Sequence, residues 1–322
     1  MPSLIDKDHK PMIHLGISEP EGKQQVVSDP FIHRRQRHHY LWANVLPFAC
    51  TIAAFALLPV FPVGWPEGIA FLVMWAISGL GLTAGFHRLF AHNSYTAGPH
   101  IRSALAVAGS MGAVGNLTSW VAIHRRHHHF ADREGDIHSP NLRGPRWRDK
   151  LRGFQYAYST WMFEHPYPNP AYYVPDIIRN PHLCRISRRY PLWVFLGVAI
   201  PAVACALTRT SWSGLVSGFL WGGMVRLFVL QQGTSWINSF CHLFGSRRFD
   251  TDDLSRNIGC LAPFVFGESW HNNHHAFPGS ASFGLRWYCI DPGFWFIRII
   301  SLLGLAGDIT VPNQKQIEAR TV

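Results

Sequence analysis

An all-α integral membrane protein is the fold class this sequence predicts, with four transmembrane helices in two pairs and a histidine-rich helical cap on the cytoplasmic side. Three observations predict it. Charged residues make up 15% of the 322 positions and hydrophobic residues 48%, whereas soluble domains carry about 25% charged. Four apolar stretches each approach the ~20 residues needed to cross a hydrocarbon core about 30 Å thick. Nine of the 19 histidines fall into three tight clusters.

Taken in order, residues 1–39 read as a polar N-terminal tail ending in the basic run Arg34, Arg35, Arg37, His38, His39. Its first 30 residues hold Lys7, Asp8, Lys10, Glu19 and Glu21 and no apolar core, so no cleavable signal peptide is expected. A membrane domain follows over 40–308, and 309–322 forms a C-terminal tail. The expected spans are about 40–61 and 69–86, joined by a Pro/Gly turn, then 191–207 and 212–230, joined by Thr208–Ser211. The run Ile101–Ala122 is interrupted by Gly109, Gly112, Gly115, Asn116 and Thr118, which suits a buried or interfacial element better than a span. Phe294–Leu305 is short and contains Arg298 and Ser301, as an interfacial helix would.

Orientation follows from Lys and Arg. The segment before the first span carries six, 124–190 carries twelve and 236–322 carries seven, against none and one in the two short turns. The positive-inside rule therefore puts both termini and the middle segment in the cytoplasm. Arg226 falls within the fourth span, where it either faces a polar cavity or partner or snorkels to the nearby membrane face. The six cysteines are scattered without a CxxC pair and read as small buried hydrophobes.

The histidine clusters carry the chemistry. Box one is His87-Arg-Leu-Phe-Ala-His92, box two His124-Arg-Arg-His127-His128-His129 and box three His271-Asn-Asn-His274-His275. His242 stands outside them, four residues after Asn238. On a helix, i, i+3 and i+4 share one face, so boxes two and three can each aim three imidazoles inward. His87 and His92 are five apart, roughly 140° on a straight α-helix. Either the helix ends between them or they approach a site from different angles. Neutral imidazole binds Zn, Cu, Fe and Ni. Nine such histidines, with His129 set aside, are too many for one closed structural site, which needs four ligands. They divide naturally between two metals; spacing does not say which metal.

HRLFAH, HRRHH, WINSFCH and HNNHH, set among paired spans, resemble the membrane fatty acid desaturases, on the acyl-CoA (stearoyl-CoA, delta-9-type) branch. GESWHNNHHAFP and NSFCHLFGSRRFD strengthen the likeness, which covers roughly residues 35–305. The five-residue offset in box one favours that branch over relatives with a shorter first box. The resemblance implies a diiron site ligated by His87, His92, His124, His127, His128, His242, His271, His274 and His275. Asn238 would hold a water on one iron. His129 is an alternative third ligand of box two, and His138 sits where the family has a histidine after an acidic residue.

The implied reaction is O2-dependent insertion of a cis double bond into a saturated acyl chain. Its substrate would be a fatty acyl-CoA or acyl-carrier thioester, with iron as cofactor and O2 as co-substrate. Arg125, Arg126, Arg143, Arg146, Arg148, Lys150 and Arg152 are head-group candidates, suited to phosphates; the same charges could instead bind membrane lipid or an acidic donor. The chain shows no flavin or dinucleotide fingerprint and no Cys cluster, so an external donor is implied: a ferredoxin or a b-type cytochrome with its reductase. Nucleic acid is not an expected partner, because the positive charge is tied to membrane spans. A hydroxylase or an acetylenase could share the scaffold. A His-rich metal transporter should instead place ligands at the midplane of the spans.

Overall fold

The computed structural model describes residues 25–322. Helix α1 (Pro30–Ala56) begins ten residues before the expected first span. The Asp29 carboxylate caps it by accepting from the Phe31 amide at 2.7 Å, and Pro30 opens the first turn. The basic run is therefore part of a continuous helix and not of an irregular tail.

Helix α2 (Trp65–Ala91) is anchored by Glu67, whose carboxylate accepts from the Gly64 amide at 2.8 Å. The same buried carboxylate accepts from Arg209 at 2.8 Å and Ser217 at 2.7 Å, tying the first helix pair to the second at the face away from the histidines. Its 27 residues span about 40 Å at 1.5 Å each. That exceeds the hydrocarbon core by about 10 Å, length enough for its last turns to reach beyond the bilayer. Those turns, Gly81–Ala91, are π-helical.

The interrupted run divides into α3 (Pro99–Ser110) and the start of α4 (Leu117–Phe130), both too short to span. Asn116 caps α4 by accepting from the Ser119 amide at 3.0 Å. The α3 backbone lies against the π segment of α2. A Cβ on Gly81 would fall 2.2 Å from the Gly109 nitrogen, so only glycine permits this crossing. Helix α5 (Trp147–Gln155) follows with most of its residues exposed.

The second pair is α6 (Tyr190–Arg209) and α7 (Trp212–His242), joined through Thr210 in a left-handed conformation. Helix α7 has 31 residues, about 46 Å, and its final turn, Phe240–His242, is a 3-10 helix. The short α8 (His271–Ala276) bears box three, and α9 (Pro292–Leu302) packs beside the end of α2, capped by Asp291. Phe86, Leu89, Leu117, Val121, Ile177 and Ile297 form the apolar core beneath the histidines. Ile52, Phe55, Ile69, Leu72, Phe195, Leu207 and Leu215 face outward from the four long helices.

Arg226 does not snorkel. It is fully buried, and its guanidinium donates to Gly197 O at 2.6 Å, Met111 O at 2.8 Å, Ser78 Oγ at 3.2 Å and Gly222 O at 3.3 Å. The charge thus bolts α6, α7, α2 and the α3–α4 turn together from inside.

Candidate metal centre

Nine imidazoles from four helices, α2, α4, α7 and α8, meet at the cap end of α2 and α7. Their ligand atoms form two groups, each with all such atoms within 4.8 Å of one another. Five belong to His87, His92, His124, His128 and His274, and four to His127, His242, His271 and His275. The groups adjoin, with the His128 and His275 rings stacked 4.5 Å apart.

The five-residue spacing of box one is resolved by the π turn. The His92 amide donates to His87 O at 3.1 Å, an i to i+5 hydrogen bond that sets the two residues almost over each other. Their rings are 5.1 Å apart. The helix does end between them, at Ala91, and its closing π turn rather than a divergent approach brings His92 to the side of His87. Box two is one face of α4, with His124 and His128 serving one group and His127 the other. His271 and His275 on α8 serve the four-histidine group, while His274 crosses to the five-histidine group.

The Nε2 atoms converge. His92 and His124 approach to 2.8 Å, His274 and His128 to 2.8 Å, and His87 and His274 to 3.0 Å. In the second group His242 and His271 are 3.0 Å apart and His275 and His271 3.1 Å. Two nitrogens at right angles on an ion with bonds of about 2.1 Å would be about 3 Å apart.

Four carboxylates lie behind the imidazoles and decide their tautomers. Nδ1–H of His127 donates to Asp136 at 2.9 Å, of His242 to Asp132 at 2.8 Å and of His275 to Asp253 at 2.8 Å; His87 is held in the same way by Glu268. With the proton on Nδ1, each Nε2 presents a lone pair. His242 Nε2 then faces another imidazole nitrogen, and the buried Nε2 of His127 has no partner among the described residues. Converging buried lone pairs repel unless a cation lies between them, so this donor set fits metal ions.

Electrostatics agree. Burial pushes His92, His124, His128, His271 and His274 well below the usual imidazole range, and neighbouring histidines add to this, so these rings are neutral. Burial alone would raise the Asp132, Asp136 and Asp253 carboxyls. Their histidine partners outweigh it and hold all three far below the usual range, as anions. These residues were missed in the sequence. Their signal was proximity: Asp132 and Asp136 follow box two directly, and Glu268 stands three residues before His271.

The other candidates divide. His129 is exposed and in neither group, with its ring stacked on Phe130 at 4.5 Å. His138 is buried with its ring 4.2 Å from His127, and forms a third possible ligand group with His127 and Asp136. Asn238, four residues before His242 near the end of α7, is half-buried. Arg125 departs from its expected head-group role. It donates to both Asp176 oxygens at 2.7 and 2.9 Å and to the carbonyls of Phe90, Ala91 and Tyr173, which brackets α4 to the end of α2. Arg126 departs likewise, being buried over Phe130 and bonded to the Tyr173 hydroxyl at 3.2 Å. Arg143, Arg146, Arg148, Lys150 and Arg152 are exposed on and before α5.

The sequence model of the family described as fatty acid desaturase matches residues 64–295. A hex-5-enoyl-[acyl-carrier protein] acetylenase of Moorena producens is 43% identical over 92% of this chain and 94% of its own length. Delta-9 acyl-lipid desaturase 1 of Arabidopsis thaliana is 31% identical, over 94% of this chain and 97% of its own. A probable acyl-CoA desaturase of Schizosaccharomyces pombe is 30% identical, over 93% and 61%. With its apolar helices and paired histidine groups, this multi-pass membrane chain belongs to the fatty acid desaturase family, delta-9 type.

Proposed function

We propose that the protein is an O2-dependent fatty acyl desaturase whose nine histidines hold two irons, with Asn238 acting on one of them through a water. The observation that carries this reading is the division of the imidazoles into two adjoining groups, with a carboxylate behind one histidine in the first and three in the second. Side chains alone lack the redox power to break an unactivated C–H bond, and iron when bound supplies it. The balance is one –CH2–CH2– unit, O2, two electrons and two protons giving one –CH=CH– unit and two waters. The electrons come from a separate ferredoxin or b-type cytochrome.

The protein's own part is geometric. The carboxylates hold each ligating imidazole in one tautomer, and the buried cap excludes water. Neighbouring methylenes differ little in chemistry, so the bond chosen depends on how far the head group is held from the metals. Exposed Arg146, Arg148 and Lys150 on and before α5 suit the phosphates of a CoA or of a carrier-protein arm. The lysine and arginine distribution supports a cytoplasmic site and termini.

A second reading is favoured by one specific observation, the 43% identity to an acetylenase that acts on a carrier-bound enoyl chain. On the same scaffold, a substrate already carrying an alkene would leave as an alkyne. One experiment separates them: fatty acid profiling of a host expressing the intact chain beside His274→Ala, fed saturated and terminally unsaturated acids. A new internal cis-alkene, absent with H274A, supports desaturation. An alkyne supports the second reading, and hydroxylated chains would replace both. An iron-free protein with no lipid product would overturn the proposal.

A further inference from the structure

An apolar groove of about 600 Å³ runs down the outside of the helix bundle between α1, α6 and α7, and no histidine borders it. Its walls include Trp42 and Leu46 on α1, Val198 and Val203 on α6, and Phe219 and Met224 on α7. Along α6 the lining extends from Pro191 to Val203, twelve steps or about 18 Å. Half of a ~30 Å hydrocarbon core is about 15 Å, so the groove has the depth of one leaflet. It starts at the cap end of the bundle, where the Tyr190 hydroxyl accepts from the Gly115 amide at 3.0 Å.

The mouth is basic. Arg188 and Arg189 directly precede Tyr190, the first residue of α6, are exposed, and have no acidic partner among the described residues. Exposed Arg35 stands seven residues, two helical turns, before Trp42 on α1. Guanidiniums at one end of a leaflet-deep apolar groove match the two halves of a phospholipid, an anionic head group and one acyl chain. A transmembrane protein helix would need contact across both leaflets and would not call for cations at one end.

We infer that this groove is a binding site for an anionic phospholipid of the leaflet beside the cap, held as a resident of the fold. The test is native mass spectrometry of the full chain in detergent with equal phosphatidylglycerol and phosphatidylcholine of identical chains. The wild type should retain one phosphatidylglycerol in preference to phosphatidylcholine by at least about fivefold, the effect of one basic side chain near a lipid surface. Ala199→Phe, which fills the groove, should abolish retention of both. R188Q with R189Q should bring the two lipids near parity. Equal retention by the wild type, retention unaffected by A199F, or a dimer mass in place of a lipid adduct would overturn the inference. The double arginine variant lies outside the packed groove, and decides the matter if A199F fails to fold.

Discussion

Replacing Asp253 by Asn changes one carboxylate oxygen into an NH2 group at almost constant volume. In the structure Oδ2 accepts from His275 Nδ1 at 2.8 Å, while Oδ1 accepts from the Ser255 amide at 2.8 Å and from the Thr251 hydroxyl at 3.2 Å. An asparagine must set its NH2 against either the His275 or the Ser255 N–H, two donors face to face. If His275 escapes by moving its proton to Nε2, it can no longer ligate through that atom. The lost charge-assisted bond contributes about 1.5–3 kcal/mol. At 1.36 kcal/mol per tenfold, that is roughly 10- to 150-fold in metal affinity, in line with the ~10- to 100-fold measured for such outer partners. The assay is metal content by mass spectrometry after dialysis against graded chelator, with exposed-helix Asp149→Asn as control. D253N should release metal from the four-histidine group at a 10- to 100-fold lower chelator concentration, while the five-histidine group keeps its own. Retention within about twofold of wild type would refute the idea that the carboxylate sets the tautomer.

Three further outcomes are expected. Arg226→Met strands the Met111 and Gly197 carbonyls and the Ser78 hydroxyl inside the bundle; thermal unfolding in detergent should show a loss of about 3–5 kcal/mol, and an unchanged transition would deny the arginine its role. Gly81→Ala drives a methyl into the Gly109 backbone; it should cost about 1–3 kcal/mol and lower metal in the five-histidine group by displacing the π segment, seen as a lower Tm with reduced metal per chain. His165 is buried against Gln36, with burial lowering its pKa from 6.5 to about 4. Its folded pKa lies below its unfolded one, so the unfolded chain takes up the proton first and stability falls as pH drops below 6.5. That loss should reach about 2 kcal/mol by pH 5, and His165→Gln should remove it from the slope of unfolding free energy against pH.

Much of this protein was legible in its sequence. Four spans could be read because hydropathy over ~20 residues is a local property that a bilayer rewards directly. The nine histidines could be read because i, i+3 and i+4 spacing on a helix is also local. Where local rules gave out, the reading was incomplete. His87 and His92 looked misaligned because periodicity assumes an α-helix, and the π turn that aligns them forms where α2 packs against Gly109 and α9.

The sequence by itself determined that there are four apolar helices and nine ligand-type histidines at one end of them. Tertiary structure alone decided which five imidazoles share one group and which four the other, sending His274 and His275 to different sides. It also decided that Asp132, Asp136, Asp253 and Glu268 stand behind His242, His127, His275 and His87, that Arg125 braces α4 through Asp176, and that Arg226 is an internal bolt. The physical reason is common to all of these. A buried charge or imidazole takes its tautomer and its role from partners up to 181 positions away, as His87 does from Glu268. Only the packing of the helices brings such partners within hydrogen-bonding distance.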